Sequence, residues 1–288
     1  MSAPASTPPS NYVMSPANLF VPIKSWLGLE EIRVGIRLQQ GPALITTDTI
    51  GTLHFDRFVD ARDHNQIAFF SSFDGSLRQY IEDFAKYLGP FFNAIFKHTI
   101  GAPAVPVEKN VDSFYDWIVA NLVKPLGYYS AYPNLSVQDI RSRAGITKGG
   151  YEGLQSPLTL VMPVKSPKHL AAASEIIVGS LPTFYQAADA MGTIHFARFV
   201  PMGTTALAFI SEYDGDFDKH VQDCATHLGP LFDQILENMV DPPPTPVQKD
   251  TQAFGKWISA HNLKPWLFYS AYPTLSVQDI RSKFAKVA

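Results

Sequence analysis

The chain has 288 residues, 46% of them hydrophobic, enough for two domain-sized cores or one large core shared by two halves. Its formal net charge is -3 with both signs interspersed, so the basic stripe of a nucleic-acid binder is missing, and no apolar run approaches the roughly eighteen residues of a membrane helix. The single cysteine, Cys224, excludes an internal disulfide and a cysteine-cluster metal site, and fits a reducing, cytoplasmic setting.

Residues 1–16 are rich in Ser, Pro and Ala, lack the basic and apolar regions of a signal peptide, and read as a disordered tail. Leu19 to Ser25 is short and β-prone and is answered by Leu160 to Ser166, so each is expected to be a first strand. Both contain a proline at the same place, which cannot donate a ladder hydrogen bond and suggests an edge or a bulge. About twenty residues of helical character follow, clearest from Lys168 to Ala190, where Leu170, Ala173, Ile176, Ile177 and Leu181 keep helical spacing.

The strongest strand signals are Gly51 to Val59 and Gly192 to Val200, each followed by a second strand, Ile67 to Phe73 and Leu207 to Tyr213. Asp74-Gly75 and Asp214-Gly215 supply the turn chemistry that closes these hairpins. A second helix comes next in each copy, with Leu77, Tyr80, Ile81, Phe84, Leu88, Phe91 and Ile95 in the first and Phe217, Val221, Cys224, Leu228, Leu231 and Ile235 in the second. Gly89-Pro90 and Gly229-Pro230 fall inside that pattern, and a proline there removes a helical hydrogen bond, so a break or kink is expected. Proline-rich spacers lead to short helices carrying Trp117 and Trp257.

Each module ends on one signature, Tyr129 to Ser142, repeated 140 residues later as Tyr269 to Ser282 with Asn134 replaced by Thr274 as the only change. The protein is therefore one module written twice: residues 17–145, a linker at 146–157 whose flexible part is Lys148-Gly149-Gly150, and residues 158–288. Strand, helix, hairpin, helix, strand is the order of a ferredoxin-like βαββαβ unit. Such a unit leaves one sheet face bare, and the second copy is its natural cover. The expected fold is α+β: two tandem ferredoxin-like repeats packed sheet to sheet as an intramolecular α+β barrel.

Tandem ferredoxin-like halves, His-Phe-x-Arg-Phe on a central strand, and Phe/Tyr-Asp-Gly before an amphipathic helix resemble the dimeric α+β barrel superfamily, and within it the dye-decolorising peroxidase and chlorite dismutase group. The resemblance implies haem in the C-terminal half. The Gly-x-x-Asp-Gly element of the peroxidases is not matched, since Asp214-Gly215 follows Ser211-Glu212-Tyr213.

Strand alternation sends Leu53, Phe55 and Arg57, with Ile194, Phe196 and Arg198, towards the helices, and points His54 and His195 into the space between the halves. Those histidines could bind a ligand or shuttle protons, or simply hold the strands through hydrogen bonds. Buried arginines at 57 and 198 would need an anion: a ligand's, or a carboxylate such as Asp83, Asp223, Asp139 or Asp279. On the second helix the first copy carries Tyr80, Phe84, Tyr87 and Phe91 where the second carries His220, Cys224, His227 and Leu231, so the second copy has lost aromatic bulk. The lost volume leaves either compensation from elsewhere or a cavity that could house haem, with His227 as axial ligand and Arg198 as the distal group. His220, Cys224 and His227 could instead ligate a metal ion, or be ordinary residues of an amphipathic helix. Ser136 and Ser276 look like helix N-caps, and the signature is expected to lock the halves together.

The function expected from these residues is a haem-binding, peroxidase-like oxidoreductase with Arg198 and His195 as catalytic groups and His227, His220 and Arg198 around the cofactor. The alternatives are a cofactor-free barrel enzyme or binding protein for an apolar or aromatic small molecule, and a non-catalytic interaction protein. A small molecule is the expected partner in the first two, with neither nucleic acid nor membrane, and the chain could be a monomer or a homo-oligomer.

Overall fold

The computed structural model describes residues 13–61 and 65–285. Most of the expected tail lies outside them. The N-terminal half runs β1 (Met14–Pro22), α1 (Trp26–Leu38), α2 (Gln40–Ile50), β2 (Leu53–Ala61), β3 (Gln66–Asp74), α3 (Leu77–Phe96), α4 (Val111–Asn121), β4 (Gly127–Ser130) and α5 (Val137–Ala144). The C-terminal half repeats it as β5 (Gln155–Pro163), α6 (Pro167–Gly179), α7 (Leu181–Met191), β6 (Ile194–Met202), β7 (Ala206–Asp214), α8 (Phe217–Leu236), α9 (Thr251–His261), β8 (Pro265–Ser270) and α10 (Val277–Phe284).

Two four-stranded antiparallel sheets result, ordered β1-β3-β2-β8 and β4-β6-β7-β5. The last strand of each module has crossed to the other half: β8 pairs with β2, and β4 pairs with β6. Each half is thus incomplete without the other, and the signature that follows each of these strands is delivered into the opposite half. Among the described residues the ladders do not close into a barrel. Single bridges, Leu19 with Leu122 and Leu160 with Asn262, tie the start of each crossing segment to its own half before it leaves.

Helices cover the outer face of each sheet, and the inner faces meet across a small apolar layer of Phe20, Val59, Ala61, Ala68 and Phe70 with Val161, Val200, Met202, Ala206, Ala208 and Ile210. The main core lies between sheets and helices, where α3 buries Tyr80, Phe84, Phe91 and Phe92 and α8 buries His220, Cys224, Leu231 and Phe232. Neither long helix breaks at its Gly-Pro. Both run through Pro90 and Pro230, because the sheet packing on either side holds them. The glycines serve contact instead: a Cβ on Gly89 would lie 2.6 Å from the Glu108 carboxylate, and one on Gly229 2.7 Å from the Gln248 amide.

The linker is likewise tied down. Gly150 exchanges both backbone hydrogen bonds with Ser270, at 2.8 Å each, and the Gly149 amide donates to Asp48 at 2.8 Å. A Cβ on Gly149 would meet the Tyr269 hydroxyl at 2.5 Å, so close approach and not flexibility calls for glycine there. Among the described residues no helix is long and apolar enough to cross a membrane.

Candidate functional site

The centre of the molecule is a chain of polar side chains strung between the halves. The register of β2 against β3 shifts between Leu53 and Phe55, and that of β6 against β7 between Ile194 and Phe196. These bulges fall on His54 and His195 and break the alternation there. As expected, both histidines face the junction of the halves, but the residues after them are inverted. Phe55 packs on Phe196 and Tyr272 at the junction, while Phe58 packs on Phe91 of α3. Arg57 and Arg198 therefore lie between the sheets, not against the helices.

His54 Nε2 lies 2.7 Å from Asp74 and its Nδ1 2.8 Å from the Tyr272 hydroxyl. Tyr272 lies 2.9 Å from the Tyr132 hydroxyl, which sits 2.7 Å from His195 Nδ1, and His195 Nε2 ends the chain 2.8 Å from Asp214. With both carboxylates ionised, two neutral imidazoles and two hydroxyls supply one proton fewer than the contacts require. All the contacts are hydrogen bonds only when one histidine carries a second proton.

The terminal carboxylates also close the helix starts of the signature. Asp74 accepts from the Val137 amide and Asp214 from the Val277 amide, at 2.7 Å each, beside capping boxes made by Ser136 with Asp139 and Ser276 with Asp279. From the same helices Arg141 donates to the Ala271 carbonyl at 2.7 Å and to Asp48, and Arg281 donates to the Ala131 carbonyl at 3.0 Å and to Asp189 at 2.5 Å. The signature residues of each half thus grip the other half.

The two inner arginines differ. Arg57 donates to Glu212 of β7 at 2.5 Å and to the Leu158 and Ser211 carbonyls, and burial pulls its guanidinium down to about 10 against the opposing pull of Glu212. Among the described residues Arg198 meets no carboxylate. It donates to Asn18 at 2.7 Å, Ser72 at 3.1 Å and the Ser71 carbonyl at 3.3 Å, with Ser72 standing where the other half has Glu212. None of Asp83, Asp223, Asp139 and Asp279 reaches either arginine: Asp83 and Asp223 bind Gln79 and Lys219 on their own helices, and Asp139 and Asp279 cap theirs.

The residues expected to hold haem do not meet. His227 is exposed on α8, whereas Arg198 is buried between the sheets. His220 is stacked on Tyr213 with ring centroids 3.7 Å apart, as Tyr80 is stacked on Phe73 at 4.0 Å, and its Nε2 lies 3.3 Å from Ser211 and 3.7 Å from Cys224. Burial pulls the His220 imidazole down to about 3 and pushes the Cys224 thiol up.

The aromatic bulk lost from α8 is supplied by α7. Phe184 packs on Phe199 and Phe209 where the matching residue of α2 is Ala43, and in the first half Phe84 occupies the corresponding space against Phe69. Among the described residues the space between α8 and its sheet is filled by these side chains, and His227 points away from it to solvent. Among the described residues no group of three or more His, Cys, Asp or Glu side chains is placed to hold a metal ion.

A different residue stands out in the helix-facing layer of the N-terminal half. Asp56 is buried, its Oδ1 has no hydrogen-bond partner, and burial pushes its carboxyl up to about 7. It lines a small void of about 10 Å³ with Ala43, Thr47, Phe58, Phe69, Phe84, Phe91 and Leu267. The C-terminal half has Ala197 at this position. The signal was present in Leu-His-Phe-Asp-Arg-Phe against Ile-His-Phe-Ala-Arg-Phe, but strict alternation sends the aspartate to the wrong face.

No protein-family model matches the chain, and no curated protein matches it. Among solved structures, it is similar to a proposed monooxygenase of Fusobacterium nucleatum subsp. nucleatum ATCC 25586 at 10% identity and a TM-score of 0.40, over 92% of this chain and 97% of that one. A proposed monooxygenase of Lactobacillus acidophilus NCFM is 9% identical with a TM-score of 0.31, over 90% of this chain and 97% of that one. An anthrone oxidase-like protein is 10% identical with a TM-score of 0.35, over 95% and 99%. At this distance neither a family nor an activity passes to the chain, and the function is argued from its own residues.

Proposed function

We propose that the N-terminal half binds a small aromatic molecule between its sheet and helices, and that Asp56 exchanges a proton with it. The observation that carries this reading is the Asp56 carboxyl, buried with an unpartnered oxygen among phenylalanines, where the otherwise matching half has alanine. An uncompensated polar group in such a place costs stability, and strained or unsatisfied groups gather where a protein works. A carboxyl brought to about 7 is matched to general acid–base catalysis near neutral pH. Phenyl walls suit an aromatic ring, and the acid to be deprotonated is a phenol or an activated C–H beside the ring.

The void at rest has room for about one water, so a larger occupant requires α2 to lift from the sheet. That helix is the weaker cover: it presents Ala43 where α7 presents the buried Phe184, a difference of about 3 kcal/mol in anchoring on the scale of Phe-to-Ala changes in cores. Electron transfer from the resulting anion to dioxygen would be the oxidoreductase form of this chemistry and calls for no resident cofactor. Haem peroxidase chemistry is not part of the reading.

The test uses 2-naphthol, a photoacid whose neutral and ionised forms emit at different wavelengths. Saturable binding with naphtholate emission is expected for the native chain, and binding with neutral emission for Asp56→Asn. No saturable binding to the native chain, or the same emission from both proteins, would overturn the assignment.

A further inference from the structure

The two halves differ most visibly on the outside of their first helices. Trp26, Leu27, Val34 and Leu38 of α1 and Ile45 of α2 are exposed, Leu38 at 77% and Ile45 at 73%. The matching positions of α6 and α7 are Pro167, Lys168, Glu175, Gly179 and Gln186. One half of a duplicated protein therefore presents an apolar helix face where the other presents a polar one.

Leu27, Glu31, Val34 and Leu38 follow one another at four, three and four residues, a stripe that points directly away from the buried Leu29, Ile32 and Ile36. Beside it Gly35 leaves open space, and Glu30, Glu31, Val34, Gly35 and Leu38 line a shallow notch of about 410 Å³. Charge is graded along the helix: Glu30 and Glu31 lie towards its start, Arg33 and Arg37 towards its end.

We propose that this face binds a second copy of the chain, with α1 antiparallel to α1 of the partner about a twofold axis near Glu31 and Val34. In that arrangement the two apolar stripes cover each other, with each Leu27 opposite Leu38 of the other copy, and a knob from one helix enters the notch at Gly35 of the other. The flank carrying Trp26, Glu30, Arg33 and Arg37 meets the same flank running the other way, which sets Glu30 against Arg37 across the axis and Arg37 near Trp26. A parallel pairing would instead oppose like charges. Because only one half carries the face, association closes at two copies and does not propagate. The proposal is independent of the role given to Asp56.

Sedimentation velocity on the full chain over a concentration series tests it. Twice the chain mass is expected at high concentration and the single mass on dilution. Leu38→Glu and Val34→Glu should give monomer throughout, with circular dichroism unchanged because both side chains point to solvent. Arg37→Glu should weaken association by at least tenfold, and adding Glu30→Arg to it should restore the native dimer, whereas Lys168→Glu on α6 should change nothing. A native chain that stays monomeric overturns the proposal, as does a dimer untouched by Leu38→Glu. A monomer that sediments with lipid vesicles would assign the face to a membrane surface and equally overturn it.

Discussion

Replacing Asp56 by alanine, the residue of the other half, should stabilise the protein by an amount that grows with pH. In an unfolded chain an aspartate ionises near pH 4, whereas in this fold burial pushes Asp56 up to about 7. Between those values the folded state holds a proton that the unfolded state has released, so stability falls as pH rises and levels off above the folded value. The gap of about three units corresponds to about 4 kcal/mol when fully expressed, of which roughly 2 to 3 kcal/mol develops between pH 5 and pH 8. The ionisable neighbours that sense its charge are the hydroxyls of Tyr80, Tyr151 and Tyr269, all pushed above the usual phenol range by burial, so none titrates in this window. Urea denaturation of the native chain and of Asp56→Ala, followed by tryptophan fluorescence at each pH, reads the difference. A constant offset reports only the lost side-chain volume. If the two stability curves run parallel from pH 5 to pH 8, Asp56 is not a buried carboxyl of raised affinity for protons, and the acid–base reading loses its ground.

The central chain and the inner ion pair give two further expectations. Tyr272→Phe removes the partner of His54 and of the Tyr132 hydroxyl, and should cost about 2 to 4 kcal/mol of stability in the same urea assay; a loss below about 0.5 kcal/mol would mean that the chain does not hold the halves together. Glu212→Gln strands the Arg57 guanidinium in the interior and should cost about 3 to 5 kcal/mol, most of it recovered when Arg57→Met is added. If the double variant is no more stable than the single one, the cost comes from packing around Glu212 and not from an unpaired charge.

The duplication, the element order and the capping boxes were legible because each is written in local spacing: helical periodicity from Leu77 to Ile95, strand pairs bounded by Asp-Gly, and Ser followed by Asp at the third helical position. The expectation of a signature that locks the halves together matches where Tyr132, Tyr272, Arg141 and Arg281 lie. What was not legible is non-local. Nothing in Gly127 to Ser130 says that this strand pairs with β6 and not with its own half, since both available edges come from copies of one module. Nor does a strand's sequence mark a bulge, and one extra residue at His54 was enough to send Phe55 and Arg57 inward and Asp56 outward to the helices. The cavity expected beside α8 is filled for a related reason. Loss of Phe84 as Cys224 was read on one helix, while the compensating change from Ala43 to Phe184 sits on another.

Those differences between the copies have a common address. The residues of the central chain and of the signature that join the halves are the same on both sides of the pseudo-twofold axis: His54 and His195, Tyr132 and Tyr272, Asp74 and Asp214, Arg141 and Arg281. Each half can be assembled only through the other's copy of these residues, so a change in one copy alone breaks a contact on the far side. The helix layer is less tightly constrained, although α1 packs on β8 and Asp48 of α2 accepts from Tyr269, both from the other module. It is there that the copies part: Asp56 against Ala197, Ala43 against Phe184, Phe84 against Cys224, and the outward stripe ending in Leu38 against Gly179. The central hydrogen-bonded chain stays symmetric, while the copies differ beside it, where Ser72 answers Glu212, and in the layer that faces the helices. The buried carboxyl and the apolar helix face lie in the outer layer of the same half, on the inner and outer sides of a single sheet of helices.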